Sequence, residues 1–210
     1  MDSFDSIRSE AQFELLERKS RFIAFIYPVD TECAAQEKLA NLRKIYYNAA
    51  HYCWSVRLLG DTQPLIRFSD DGEPSRSAGF PISLTLEGAN LFNTLICVVR
   101  YFGGIKLGTG GLVKAYTAAA QGVIDLAERI AWQAVADIQL VFHHEQTGLV
   151  MRMVNEFQLR ILTREYSDSV ICHLQAPIAQ WPAFQQQIEE LSAGGLHPVL
   201  TGRSWISPST

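Results

Sequence analysis

Apolar residues recur with two periods along the second half of the chain. Residues 134–143 are rich in strand formers, with Val135, Ile138, Leu140 and Phe142. Residues 145–157 carry Leu149, Val150, Met153, Val154 and Phe157, the stripe of a helix lying on a core. A strand is predicted over 160–166, a turn at Ser167, Asp168 and Ser169, and a returning strand over 170–175 that Pro177 ends. Trp181, Phe184, Ile188 and Leu191 fall at helical spacing, and Gly194 with Gly195 stops that helix. A last strand covers 198–206. The order is β-α-β-β-α-β, the split βαβ or ferredoxin-like pattern.

The first half is also mixed. Residues 21–27 (RFIAFIY) read as a strand closed by Pro28. Asp30 is the expected N-cap of a helix reaching Tyr46, with Ala34, Ala35, Leu39, Leu42 and Ile45 on its apolar face. Residues 52–59 and 65–68 form a predicted hairpin across Gly60, Asp61, Thr62, Gln63 and Pro64. Residues 81–87 fit a short helix or a strand equally. The unbroken apolar run at 94–99 (TLICVV) predicts a central strand buried on both faces. A long helix follows over 110–129. The expected class is therefore α+β in two domains, 1–130 and 131–210.

Composition narrows the function. The net charge is −4, from 18 basic and 22 acidic side chains, which speaks against a dedicated, nonspecific nucleic-acid binder. The charges are unevenly placed: all the lysines precede residue 131, and between Glu87 and Asp125 there is no acid although Arg100, Lys106 and Lys114 are present. Cys33, Cys53, Cys97 and Cys172 are widely spaced, which predicts reduced thiols in a cytoplasmic protein. Neither a secretory leader nor a membrane-spanning run is read in the sequence, and no membrane partner is expected.

Three segments could carry chemistry. The acid-free window holds RYFGGIKLGTGGLVKAY at 100–116, a buried strand running through five glycines into a helix. Glycines admit close approach, and the N–H groups that open a helix favour an anion. The candidate contact residues are Arg100, Tyr101, Gly103, Gly104, Lys106, Gly108, Thr109, Gly110, Gly111 and Lys114. The segment lacks the Gly-Lys-Ser/Thr of a Walker loop, and Val113 stands where a dinucleotide fingerprint needs glycine. A tight strand-to-helix connection would look the same. At 68–74 the run FSDDGEP offers Ser69, Asp70, Asp71 and Glu73, either as oxygen ligands for Mg²⁺ or Ca²⁺ or as turn chemistry in which Asp70 caps the next element. His51 and Cys53 share one strand face, a pairing that could make a nucleophile or simply pack. The His143–His144–Glu145 run lacks zinc spacing. No catalytic residue, metal ligand set or cofactor is assigned.

These segments resemble the IMPACT/YigZ family. The resemblance rests on KSRFI at 19–23, AHYC at 50–53, FSDDGEP at 68–74, SAG at 77–79 with Pro81, VVRYFGG at 98–104 and LGTGGLVKAY at 107–116. It implies a first domain like the second domain of the small-subunit ribosomal protein five, with a left-handed βαβ unit. It also implies a ferredoxin-like second domain like domain V of elongation factor G. Eukaryotic members of the family relieve translational repression within a starvation-sensing kinase pathway, and for bacterial members nucleic-acid binding is the usual proposal. There is no room for an RWD domain before residue 15, so the bacterial form is expected. The resemblance implies a regulator that binds RNA or the ribosome, with a protein partner in the translation machinery as a further expectation. The alternative is an enzyme acting on a phosphorylated small molecule, with Asp70, Asp71 or Glu73 on a metal and the glycine segment on phosphate.

Overall fold

The computed structural model describes residues 1–60 and 63–207. Two compact units are present. One holds Phe4–Ile130; the other holds Ala131–Thr210 together with Met1–Ser3. Strands β1 (Ser3–Ile7) and β7 (Arg129–Phe142) both cross the boundary, so the division near residue 130 falls inside a strand and not in a linker.

The unit Phe4–Ile130 is built on an antiparallel sheet of order β2-β3-β6-β4-β5. Its strands are β2 (Ala11–Glu17), β3 (Ser20–Pro28), β4 (His51–Leu58), β5 (Leu65–Ser69) and β6 (Thr94–Tyr101). Helix α1 (Glu32–Ile45) covers one face, where Leu39 and Leu42 pack with Ile23, Phe25, Leu95 and Cys97. Helices α2 (Gly79–Gly88) and α3 (Gly108–Leu126) cover the other, packing with Phe22, Ala24, Ile96 and Val98. Alternate residues of β3 and β6 thus face different helices. That double cover explains the unbroken apolar run of β6 although the sheet is antiparallel.

Several local expectations are corrected. Thr31, not Asp30, caps α1; its Oγ1 accepts from the Ala34 amide at 3.1 Å, because the helix starts one residue later than its acidic signal suggested. The ambiguous 81–87 segment is the helix α2. Strands β1 and β2 were not read, although β2 partly buries Ala11, Phe13 and Leu15 on alternate positions against the core. Helix α3 begins at Gly108 and ends at Leu126, short of Arg129, which already lies in β7. Of the predicted hairpin turn, Asp61 and Thr62 lie outside the described residues.

The second unit runs β7, α4 (Thr147–Glu156), β8 (Arg160–Tyr166), β9 (Val170–Pro177), α5 (Trp181–Leu191) and β10 (Val199–Ile206). Within it the strands lie in the order β10-β7-β9-β8, all antiparallel. Both helices lie on one face, where Val150, Met153, Phe184 and Ile188 meet Ile138, Leu140, Cys172 and Leu174. The Asp2 carbonyl accepts from the Ala134 amide at 2.8 Å, which fixes the first residues to this unit. Among the described residues no helix is long and apolar enough to cross a membrane.

Candidate functional site

The three chemistry-bearing segments converge at one end of the first sheet. His51 opens β4 and pairs in register with Arg100 near the end of β6; Phe22 of β3 pairs with Arg100 from the other side. The turn after β5 brings Asp70, Asp71 and Glu73 to the same place.

Arg100 is not on the surface, which corrects the expectation that it contacts a ligand. Its side chain is 6% exposed and that of Glu73 4%, and Nη1 donates to Glu73 Oε1 at 2.5 Å. Nη2 reaches Ser20 Oγ at 3.5 Å, and the guanidinium lies 5.3 Å from the Phe22 ring centroid and 5.7 Å from that of Phe102. The Tyr116 hydroxyl, from α3, donates to the same Glu73 oxygen at 2.8 Å. A buried charge is tolerated when paired and hydrogen-bonded, and Glu73 pairs with Arg100 in that way, while Arg100 Nε is buried without a hydrogen-bond partner among the described residues.

The remaining carboxylates are engaged as well. Asp70 Oδ1 accepts from the amides of Ala78 and Gly79 at 3.0 and 2.8 Å, and Oδ2 from that of Arg76 at 2.8 Å, so Asp70 holds the start of α2. Asp71 Oδ2 accepts from the Tyr52 amide and Oδ1 from Arg43, both at 2.7 Å. Asp71 has φ +43° and Gly72 φ +87°, a tight left-handed turn that Asp and Gly tolerate best. Ser69 Oγ accepts from the Asp71 amide at 3.2 Å. Among the described residues no three His, Cys, Asp or Glu side chains gather as metal ligands.

His51 and Cys53 do not form a nucleophile and base. The Cys53 thiol donates to the Asp70 carbonyl at 3.0 Å and lies 3.3 Å from the Tyr116 hydroxyl, and burial pushes its pKa up, which disfavours the thiolate. Burial likewise raises the Tyr116 phenol. His51 Nδ1 lies 2.8 Å from the Asp71 carbonyl, an acceptor, so Nδ1 carries the proton and Nε2 faces Glu73 Oε1 at 3.9 Å.

The glycine segment divides into a packed part and an open part. A side chain at Gly103 would lie 2.0 Å from the Lys19 carbonyl carbon, and the Gly103 amide donates to Ser20 Oγ at 3.2 Å. That approach seats the β2–β3 turn, with Arg18 and Lys19, against the start of the loop. Gly104 and Gly108 have φ +85° and +70°, and a Cβ built at either would meet nothing within 4 Å. Thr109 and Gly110 are exposed, Gly111 half-buried. Helix α3 has neither a side-chain cap nor an acidic residue in its first turn, so its opening amides lack the usual acceptor. Lys106 and Lys114 are exposed, as are Phe102 and Ile105 at 52% and 42%. Tyr101 is half-buried, its hydroxyl donating to Asn48 Oδ1 at 3.1 Å. Glu17, Arg18, Leu107, Gly110, Gly111 and Lys114 line a groove of ≈ 540 Å³.

Residues 18–124 match the Impact N-terminal domain family. The chain belongs to the IMPACT family. It is 30% identical over 194 residues to the Bacillus subtilis IMPACT family member YvyE, covering 92% of this chain and 89% of that one. It is 32% identical over 184 residues to the Escherichia coli member YigZ, covering 85% and 88%. A crystal structure described as that of a hypothetical protein superposes with TM-score 0.66 at 27% identity, over 96% of this chain and 98% of the other.

Sequence reasoning missed Arg18, Lys19 and Phe102 as site residues. The first two lie in or beside the KSRFI block that carried part of the resemblance, but nothing local announced that the turn would lie on Gly103. Phe102 follows a buried strand and reads as its continuation.

Proposed function

We propose that this IMPACT family member is a cytoplasmic, translation-associated regulator that binds single-stranded RNA, free or on the ribosome, through its glycine segment. The observation that carries the reading is the grouping of Arg18, Lys19, Lys106 and Lys114 around an exposed loop that opens into a helix with no side-chain cap and no acidic first turn. The net charge of −4 does not prevent this, because at physiological salt charges beyond ~8 Å are largely screened. Phe102 adds an aromatic face on which an unstacked base can lie. The β-α-β-β-α-β order of the second unit suits the ferredoxin-like likeness to elongation factor G domain V, and the likeness of the first unit to a ribosomal protein domain belongs to the same proposal. The RNA reading is preferred to the enzyme reading because Asp70, Asp71 and Glu73 each accept hydrogen bonds from protein donors, and burial raises the pKa of the Cys53 thiol.

Four exposed cations predict a salt slope of about −3 on single-stranded RNA, at ~0.7 per phosphate. The test is binding of an unstructured fluorescent RNA, and co-sedimentation with ribosomes, across a salt series. Lys106→Ala with Lys114→Ala is expected to weaken binding alike for all sequences and to bring the slope to about −1.5. Unchanged affinity and slope in the double variant, or no binding by the unmodified protein, would overturn the assignment.

A further inference from the structure

Helix α2 (GFPISLTLEG) is apolar on nearly every side, a pattern expected of a helix covered all round. Its inner residues Pro81, Ile82 and Leu86 are buried, but Phe80 is half-exposed and Leu84 is 52% exposed. The neighbouring outward positions of α3 are Val113, Thr117 and Gln121, none of them charged. Between the two helices runs a groove of ≈ 780 Å³ with an apolar floor. Arginines stand on its rim. Arg76 lies on the Phe80 ring at 3.8 Å, and Arg129 donates to the Ala89 carbonyl at 3.2 Å. Among the described residues neither forms an ion pair, and no carboxylate lines the groove.

We propose that this groove docks an amphipathic, acidic segment of a partner protein, its apolar face on Phe80, Leu84 and Val113 and its carboxylates on Arg76 and Arg129. Charge complementarity selects this occupant. A nucleic-acid backbone would meet an uncharged floor with separated cations, whereas an apolar segment with acidic flanks matches both features. The ten residues of α2 span about 15 Å at ~1.5 Å each, enough for roughly three turns of a docked helix. A contact of that size is expected to be a transient one.

The probe is a fluorescein-labelled amphipathic peptide with leucines at i, i+3, i+4 and i+7 and glutamates at both ends. Companions carry lysine ends or a scrambled leucine stripe. The glutamate peptide is expected to bind at least about tenfold more tightly than either. Leu84→Glu, a surface change whose melting midpoint stays that of the unmodified protein, should lower its affinity by about tenfold or more. Arg76→Glu with Arg129→Glu should reverse the preference toward the lysine peptide. Equal binding of both charged peptides, binding of neither, or indifference to Leu84→Glu would sink the proposal. So would displacement of the peptide by RNA, or dimerisation in analytical ultracentrifugation that Leu84→Glu abolishes, which would give the face to a second copy.

Discussion

Glu73 holds Arg100: the carboxylate and the guanidinium meet at 2.5 Å with both side chains almost wholly buried. Glu73→Ala leaves that cation uncompensated and removes the acceptor of the Tyr116 hydroxyl. A loss of about 3–5 kcal/mol is expected in urea unfolding at neutral pH. Glu73→Leu combined with Arg100→Met should recover part of it, because an apolar pair needs no counter-charge although the Tyr116 hydroxyl stays without its Glu73 acceptor. A Glu73→Ala protein as stable as the parent would contradict the pairing. Adding Mg²⁺ should leave the melting midpoint of the parent unchanged, since the carboxylate oxygens already have protein donors.

Two glycines of the same loop should respond oppositely. A methyl group at Gly103 collides with the Lys19 backbone, which cannot swing aside, so Gly103→Ala should destabilise the protein and displace the turn. At Gly110 nothing lies within 4 Å, and alanine favours the helix, so Gly110→Ala should stabilise by about 0.5 kcal/mol. Melting midpoints that move the same way in both variants would show that the loop packs differently.

Phe102 offers a separate check on the RNA reading. Phe102→Leu keeps an apolar side chain but removes the aromatic face. Affinity for single-stranded RNA should fall roughly tenfold with the salt slope unaltered, since stacking contributes ~1–3 kcal/mol per base and involves no phosphate. Stability should fall by no more than about 1 kcal/mol, from loss of the ring beside the Arg100 guanidinium. An unaltered affinity would remove stacking from the proposal while leaving its electrostatic part standing.

Much of this fold was legible because patterning and packing agreed. The second unit follows its apolar periods, strand by strand and helix by helix, since one face of its sheet carries both helices. β6 announced itself by being apolar on both faces. α2 did not: with apolar residues both inward and outward, it has no clear period to read. The burial of Arg100 was hidden for another reason. An arginine ending an apolar strand reads as the first solvent-facing residue, and its partner Glu73 is 27 positions away in a segment whose sequence favours a turn over a metal loop but does not name Arg100 as the partner. Gly103 was seen as permissive, but its neighbour Lys19 comes from a hairpin that local sequence did not reveal.

Alkaline pH should unfold the protein earlier than its core size suggests. Burial raises the folded-state pKa of the Cys53 and Cys97 thiols and the Tyr116 phenol. With the folded value above the unfolded one, stability is fully present below the unfolded pKa and is lost as pH rises beyond it. Unfolded thiols titrate at about 8.5 and phenols at about 10. Unfolding free energy should therefore be flat near neutrality and decline from about pH 8.5, by up to ~1.4 kcal/mol per pH unit for each thiol. Cys53→Ala with Cys97→Ala should flatten the decline between pH 9 and 10, and a slope unchanged by the double variant would refute it.

Residues 131–210 expressed alone should melt cooperatively. Grafting Met1, Asp2 and Ser3 back through a flexible linker should add about 1 kcal/mol, because the Asp2 carbonyl regains the Ala134 amide and Arg203 regains the Met1 carbonyl. A fragment without a cooperative transition would show that the unit depends on the rest of the chain.

Because Met1–Ser3 belongs with residues 131–210, the larger unit is in effect an insertion within the smaller one. Vectorial synthesis then acts on them differently. Residues 4–130 leave the ribosome as a complete set and can fold during elongation. Residues 1–3 are made before residues 4–130 yet find their native neighbours only when Ala134 and then Arg203 have been made. At ~5–20 residues per second that is a delay of roughly ten seconds or more, through which residues 1–3 are left without their native neighbours. The unit Phe4–Ile130 can thus be completed first and the other last, and a pause in translation once residues 4–130 have cleared the ribosome would hold the protein with one unit finished and the other incomplete.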